Sequence, residues 1–267
     1  MGKIQDKEKL AEFFGAMTGD GWIQTDGRCL FLAGDPTEDR EYYDKKIIPL
    51  ISKLIVPVKP KNFPYWKVYG TGIYKKEIIQ DILNLGFPKG KKVEIVSVPS
   101  WIISSNIKIK RAFIRGLFDT DGCIFMQKDY TKYSNNFNSN YHTKSRIRIT
   151  SISKRLMEEV SSLLTSLKFR HTVRWREGGF RHNRNNASSY FVEINSIQEI
   201  HRFFKEIKPN NSKHITKYSI WKKFGFCPPK TTISQRKDIL KNTISPYSLY
   251  LRECRSGQTG RAQNALA

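Results

Sequence analysis

Two Asp-Gly pairs stand at matching places in a chain that is otherwise strongly basic. Phe13-Phe14-Gly15-Ala16-Met17-Thr18-Gly19-Asp20-Gly21 and Ile114-Arg115-Gly116-Leu117-Phe118-Asp119-Thr120-Asp121-Gly122 align without a gap when Gly15 is set on Gly116, so Asp20 and Asp121 fall 101 positions apart. Such a repeat alters the whole fold reading. Gly15 and Gly19 are one helical turn apart on one face, and Gly116 and Thr120 occupy the same places in the second copy. Small residues at i and i+4 let two helix backbones approach closely. Helices packed along those faces bring Asp20 and Asp121 together at one end of the pair. Two adjacent carboxylates are hard oxygen ligands for divalent cations. Facing a polyanion, such a centre can hydrolyse phosphodiesters. One Asp-Gly after a helix is an ordinary turn; two in register, each behind a Gly-x-x-x-small helix, point to chemistry.

The charge of the chain supplies the polyanion. Its 267 residues carry 47 Lys and Arg against 24 Asp and Glu, a formal charge of +23 and a pI near 9.9. A field of that sign favours nucleic acid. A basic membrane-surface protein is the weaker alternative, because no amphipathic Lys/Arg helix with a broad apolar face stands out. No apolar run reaches the ~18 residues of a membrane span, and the first residues do not read as a signal peptide. Gly2 is followed by Asp6 where a myristoylation motif needs Ser or Thr. Cys29, Cys123, Cys227 and Cys254 form no Cys-x-x-Cys pair, against zinc knuckles and against a disulfide framework. The expectation is an intracellular, non-secreted protein, in the cytoplasm or in an organelle.

Periodicity then places the elements around these residues. Helices are predicted over 6–18, 38–54, 74–85, 108–120, the stretch after Ser153 as N-cap, and 197–207, with one or two more in 208–240. Asp26-Gly27 signals a hairpin between Trp22–Thr25 and Arg28–Leu32. Leu54–Val58 and Tyr65–Tyr69 read as a second strand pair. Cys123–Gln127, Ser145–Thr150, Thr172–Arg176 and Ser188–Ile194 read as strands of the second half, with 128–143 a polar connection. The predicted fold is α+β, two pseudo-symmetric αββαββα repeats, each with a four-stranded antiparallel sheet. The expected domains are 1–107, 108–224 and a C-terminal extension 225–267, flexible from about Arg252.

The two Asp-Gly segments resemble the paired signature of LAGLIDADG homing endonucleases in their single-chain, two-repeat form. The second copy is close to ideal; the first has Thr18 where an Asp is usual at the sixth position. Ile48-Pro49-Leu50-Ile51, Val98-Pro99-Ser100-Trp101-Ile102 and Ile149-Thr150-Ser151-Ile152-Ser153 are similar to flanking text of that family, so the resemblance covers roughly 8–224. It implies motif helices packed at the repeat interface and sheets forming a DNA-binding saddle. It also implies that Asp20 and Asp121 are the metal-binding acids, that Gly19 and Thr120 offer backbone carbonyls to the same ions, and that Asp119 is structural. Lys213 is the candidate second-half catalytic lysine, with Lys92 the weaker candidate in the first half. The implied cofactor is Mg2+, two or more ions, with Mn2+ a substitute and Ca2+ bound without cleavage.

Strand alternation supplies candidate DNA readers. Ile147 and Ile149 turn inward, leaving Arg146 and Arg148 outward. Arg174 and Arg176 alternate with Val173 and Trp175, and Lys67 and Tyr69 with Val68. Gln24, Arg28 and Gln127 fit the two leading hairpins, and Arg181 and Arg184 sit in a Gly/Arg/Asn loop. Arg reads guanine and Gln reads adenine in the major groove. Gly72-Ile73-Tyr74 and His182-Asn183 lack the partners that GIY-type or HNH nucleases need. The expected activity is a staggered double-strand break in a long, non-palindromic duplex by a monomer with internal pseudo-twofold symmetry, encoded in a self-splicing intron. An intein is disfavoured because the signature begins within about a dozen residues of Met1 and no His-Asn pair ends the chain. The alternative is a non-cleaving binder on the same scaffold: a maturase partnered with its intron RNA, or a transcription regulator.

Overall fold

The computed structural model describes residues 6–137, 139–181 and 184–251; His182-Asn183 and the tail from Arg252 lie outside the described residues. The first repeat runs α1 (Lys7–Asp20), β1 (Gly21–Ile23), β2 (Leu30–Gly34), α2 (Arg40–Tyr42), a π-helical turn Tyr43–Ile47, α3 (Ile48–Leu54), β3 (Lys61–Phe63), β4 (Val68–Ile73) and α4 (Lys76–Asn84). After the short α5 (Ser100–Ile103) the order returns as α6 (Ile107–Asp121), β5 (Gly122–Ser134), β6 (Ser139–Ser151), α7 (Lys154–Ser166), β7 (Thr172–Arg176), β10 (Ser189–Ile194) and α8 (Ile197–Glu206). An added hairpin, β8 (Gly179–Arg181) with β9 (Arg184–Asn186), is set between β7 and β10. The sheets have matching orders, β1-β2-β4-β3 and β5-β6-β10-β7, with antiparallel pairing. This is the α+β, two-repeat architecture that the pattern predicts. Among the described residues no helix is long and apolar enough to cross a membrane.

The described residues form two compact units: 6–123 with Ile147–Asn211, and Ile124–Arg146 with 212–251. In the second unit the distal β5–β6 hairpin joins α9 (Ser212–Phe224) and α10 (Ile233–Leu240). Phe137, Phe226 and Tyr250 make its core, Trp221 Nε1 donates to the Thr143 carbonyl at 3.0 Å, and the His142 ring contacts the Tyr250 hydroxyl at 2.7 Å.

In the first unit α1 lies against α6. A Cβ on Gly15 would overlap the Phe113 carbonyl oxygen and stand 2.8 Å from the Leu117 nitrogen; on Gly116 it would overlap the Glu12 carbonyl oxygen and stand 2.8 Å from the Ala16 nitrogen. Each helix thus presses its glycine onto the other's backbone one turn earlier, in a pseudo-twofold arrangement. Phe13, Phe14, Met17, Phe113, Leu117 and Phe118 are buried around the seam.

Several elements differ from expectation for physical reasons. Predicted helix 38–54 widens into a π turn just before Pro49, which has no N–H and whose ring abuts the carbonyl four residues back. Leu54–Val58 is not a strand. Ile55 and Val56 donate back to the Ile51 carbonyl, and the Ser52 hydroxyl accepts from the Val58 nitrogen, so this segment is spent on ending α3. The polar 128–143 stretch is mostly strand, since β5 and β6 each run 13 residues. Its pairing lacks the apolar alternation that marks a buried face; Asp129, held by Thr131 and Lys144, is an internal polar tie. Along β4 the predicted facing is inverted: Tyr69 is buried with its hydroxyl on Asp44, and Val68 packs on the opposite face.

A methyl at the seam has nowhere to go but backbone. Gly15→Ala and Gly116→Ala are each expected to destabilise the protein by about 1–3 kcal/mol, read as a lower midpoint in thermal or urea unfolding. Unchanged midpoints would mean that the helices do not meet there.

Candidate active site

Asp20 and Asp121 are the last residues of α1 and α6. Asp20 is half-buried and Asp121 exposed, so both carboxylates reach solvent. A Cβ on Gly19 would stand 2.8 Å from Thr120 Cβ and 3.2 Å from the Asp121 carboxyl carbon. The residue before one acid therefore lies directly against the other acid. The small-residue stripe closes the helices, and that closure sets the end of one motif helix against the acid of the other.

Lys92, from the segment between the repeats, meets them. Its ammonium donates to the carbonyls of Met17, Thr18 and Gly19 at 2.9, 2.8 and 2.6 Å. These are C-terminal carbonyls of α1, where the helix dipole favours a cation. Burial pulls Lys92 down to about 8, while the charges of Asp121 and Asp20 oppose that shift. Of the two lysine candidates, Lys92 is the one that the first unit holds beside the acids. Lys213 opens α9 in the second unit, where its carbonyl accepts from Arg236 at 3.0 Å.

The surroundings contain groups that the sequence pattern did not single out. Tyr43 donates its hydroxyl to Asp20 Oδ2 at 3.0 Å; burial first, then the Asp20 charge, raises its phenol well above the usual value and keeps it a donor. A Cβ on Gly34 would stand 2.7 Å from Asp20 Oδ2 and 2.9 Å from Asp39 Oδ2, so β2 passes tightly beneath this acid. Asn211, fully buried, bridges the repeats: its amide donates to Asp39 Oδ1 at 2.6 Å and to the Asp119 carbonyl at 2.9 Å. The Asp119 carboxylate accepts from the Asn210 and Asn211 backbone N–H groups at 2.8–3.1 Å. Burial pushes Asp119 up to about 7 against those donors. Its counterpart Thr18 donates its hydroxyl to the Phe14 carbonyl instead. Nothing in local sequence marks Tyr43 or Asn211; the only cue is that each lies in a segment returning to the motif helices.

Two solvent-reaching carboxylates beside backbone carbonyls form an all-oxygen donor set. It suits Mg2+, which binds through one or two carboxylates and keeps several waters. Gly19 O already accepts from Lys92, which leaves its second lone pair. Among the described residues no cluster of three or more His, Cys, Asp or Glu forms a competing metal site.

The outer face of the second sheet carries the predicted arginines. Ile147 and Ile149 are buried on the helix side; Arg148 lies opposite Glu193 and Arg174 opposite Phe191, on the other face. Arg148 donates to buried Glu193 Oε2 through Nε and Nη2 at 3.0 and 2.6 Å, and lies 4.3 Å over the Phe191 ring. Arg174 and Arg176 are exposed. Val173 and Trp175 share the helix-side face by register, yet both are exposed, because β7 is the sheet edge. Half-buried Gln24 and exposed Arg28 sit in the turn region between β1 and β2, Lys67 in the turn before β4, and Gln127 is exposed on β5. Tyr69, a predicted reader, is turned to the helix side, where Arg40 covers its ring at 4.1 Å. Arg146 is half-buried on β6, and Arg181 and Arg184 close the β8–β9 pair.

Arg148→Ala would take two charge-assisted hydrogen bonds from the buried Glu193 carboxylate, at about 3 kcal/mol, whereas exposed Arg174→Ala should leave stability within about 0.5 kcal/mol. Urea unfolding of the two variants checks this; equal midpoints would refute a structural pair. Asn211→Ala, which removes both bridging donors, should destabilise by about 1–3 kcal/mol in the same assay.

Residues 108–208 match the family described as LAGLIDADG-like domain. A replication factor C small subunit from Methanocaldococcus jannaschii is 28% identical over 79% of this chain, which spans about a tenth (10%) of that relative's length. Among solved structures, meganuclease I-SmaMI bound to uncleavable DNA with a TTGT central four is 10% identical with a TM-score of 0.52, over 94% of this chain and 98% of that one. I-DmoI in complex with DNA and Ca is 19% identical with a TM-score of 0.48, over 75% of this chain and 89% of that one. With an Asp-Gly motif ending each of two glycine-packed helices and matching sheets behind them, the chain has a two-repeat fold whose second repeat, over residues 108–208, matches a LAGLIDADG-like domain.

Proposed function

We propose that this protein is a site-specific, divalent-metal-dependent DNA endonuclease. The observation that carries the reading is the convergence of Asp20 and Asp121 at the end of the glycine-tight helix pair, with the Lys92 ammonium beside both. Asp20 and Asp121 would hold two or more Mg2+ ions, with the Gly19 and Thr120 carbonyls as further ligands; Mn2+ would substitute, and Ca2+ would bind without supporting cleavage. When bound, such ions activate water and stabilise the leaving oxygen of a phosphodiester. Tyr43 orients the Asp20 carboxylate, and Lys92 offsets the repulsion between the two acids and offers a proton donor at their side. Lys213 is the proposed second-repeat counterpart.

Double-stranded DNA would lie along the outer sheet faces. Arg146, Arg148, Arg174 and Arg176 would serve one half-site, Gln24, Arg28 and Lys67 the other, with Gln127, Arg181 and Arg184 at the hairpins. A neighbour of this fold, I-SmaMI, is solved on DNA, which supports a duplex partner. Residues 1–107 and 108–224 would act as the two half-site readers of a monomer, with 225–267 as an extension. Because the repeats differ in sequence, the target is long and non-palindromic, and an intron is the proposed genetic home.

The test is incubation of the chain with a duplex spanning the insertion point of an intron-less host allele, with Mg2+ and with Ca2+. A discrete double-strand cut with Mg2+ only, reduced by at least about 100-fold in Asp20→Asn and in Asp121→Asn, is the expected result. Tight duplex binding without any cut would move the function to a non-cleaving binder.

A further inference from the structure

The two sheets carry chemically different outer faces. In the first, the register sets Trp22 opposite Phe31 and Phe63 opposite Val68, with Gly70 and Gly72 flanking, all on the face away from Leu30, Leu32 and Ile73. Trp22 stacks on Phe31 at 5.1 Å, and Trp66 meets both rings at 5.2 Å; Phe63 and Tyr74 close on Phe31 at 5.5 and 6.0 Å. Phe31 and Phe63 are buried at its centre, and the outer rings face solvent: Trp66 is 41% exposed, Tyr74 56% and Tyr65 92%. The rings themselves carry few groups that hydrogen-bond base edges, so on this face duplex reading falls to Gln24, Arg28 and Lys67 at its margin, while the rings offer area for stacking.

Cations rim the cluster. Lys61 reaches over the Phe63 ring at 5.6 Å, and Arg28, Lys67, Lys75 and Lys91 are exposed. At its border a cavity of about 530 Å³ is lined by Trp22, Gln24, Thr25, Asp26 and Lys91. It offers a ring to stack on, amide and carboxylate groups for a base edge, and an ammonium for a phosphate. Aromatic rings in a basic field are the means by which proteins hold unpaired nucleotides. A second copy of this chain would set one cationic rim against another, at a net charge of +23 each.

We infer that the outer face of the first sheet is a stacking platform for unpaired nucleotides, with the cavity beside Trp22 taking one base. The inference rests on the nucleic-acid part of the proposed function and not on cleavage. It gives the first repeat a single-stranded nucleic acid as a ligand in addition to the duplex.

The test measures fluorescence anisotropy of the full chain with labelled oligouridine, oligothymidine and a duplex, each of about 12 nucleotides or base pairs, at one salt concentration. Single strands should bind, and Trp66→Ala and Tyr74→Ala should each weaken them on the order of tenfold, with a smaller effect on the duplex. Trp66→Phe, which keeps a ring, should retain most of the affinity. A preference between the oligouridine and oligothymidine arms identifies the source of the strand. Single-strand affinity unchanged in both alanine variants, with their folding confirmed by circular dichroism, would overturn the inference. So would a dimer in solution that Trp66→Ala dissolves. Single-strand binding without duplex binding or cleavage would uphold it while defeating the endonuclease reading.

Discussion

The contact on which this molecule depends is backbone against backbone: Gly15 on the Phe113 carbonyl and Gly116 on the Glu12 carbonyl. Two helices that meet without intervening side chains hold their C-terminal ends at a separation set by peptide geometry rather than by flexible rotamers. That is what the proposed metal centre would require, since a shared ion tolerates little error in ligand placement. The same closeness sets Gly19 against Thr120 and the Asp121 carboxyl. Packing and chemistry are therefore one constraint, and the sheets that follow Gly21 and Gly122 are launched from its end.

Around this symmetric centre the supports are unequal. The first motif helix ends on the Lys92 ammonium, which takes three of its carbonyls. The second ends on Asp119, whose carboxylate receives the backbone of Asn210 and Asn211. Thr18, in the place matching Asp119, turns its hydroxyl back onto its own helix. Asn211 then links Asp119 to Asp39. The repeats have diverged in how they brace the acids while the acids themselves hold register.

The repeat, the motif helices and the place of Asp20 and Asp121 at their ends were legible in the sequence because they depend on local spacing: Gly-x-x-x-small, then Asp-Gly, twice. Ser153 was legible for the same reason, and it caps α7 through the Leu156 nitrogen as its position suggests. What was not legible depends on distant partners. Val68 and Tyr69 alternate correctly, but only pairing with β2 and the reach of Tyr69 to Asp44 decide which face is inner. The tie of Arg148 to Glu193 could not be read because 45 positions separate them, and Tyr43 is tied to Asp20 by the return of a helix across β2. The β5–β6 extension escaped because a solvated hairpin lacks the apolar period by which strands are recognised.

The central claim is that Asp20 and Asp121 form one shared metal centre. Calorimetric titration of Ca2+ into the protein, its Asp20→Asn and Asp121→Asn variants and the double variant tests it most directly. A shared centre predicts that either single change removes most of the affinity, so that the double variant binds little worse than the singles and the cycle shows a coupling of at least about 1 kcal/mol. Two independent losses that simply add would contradict it.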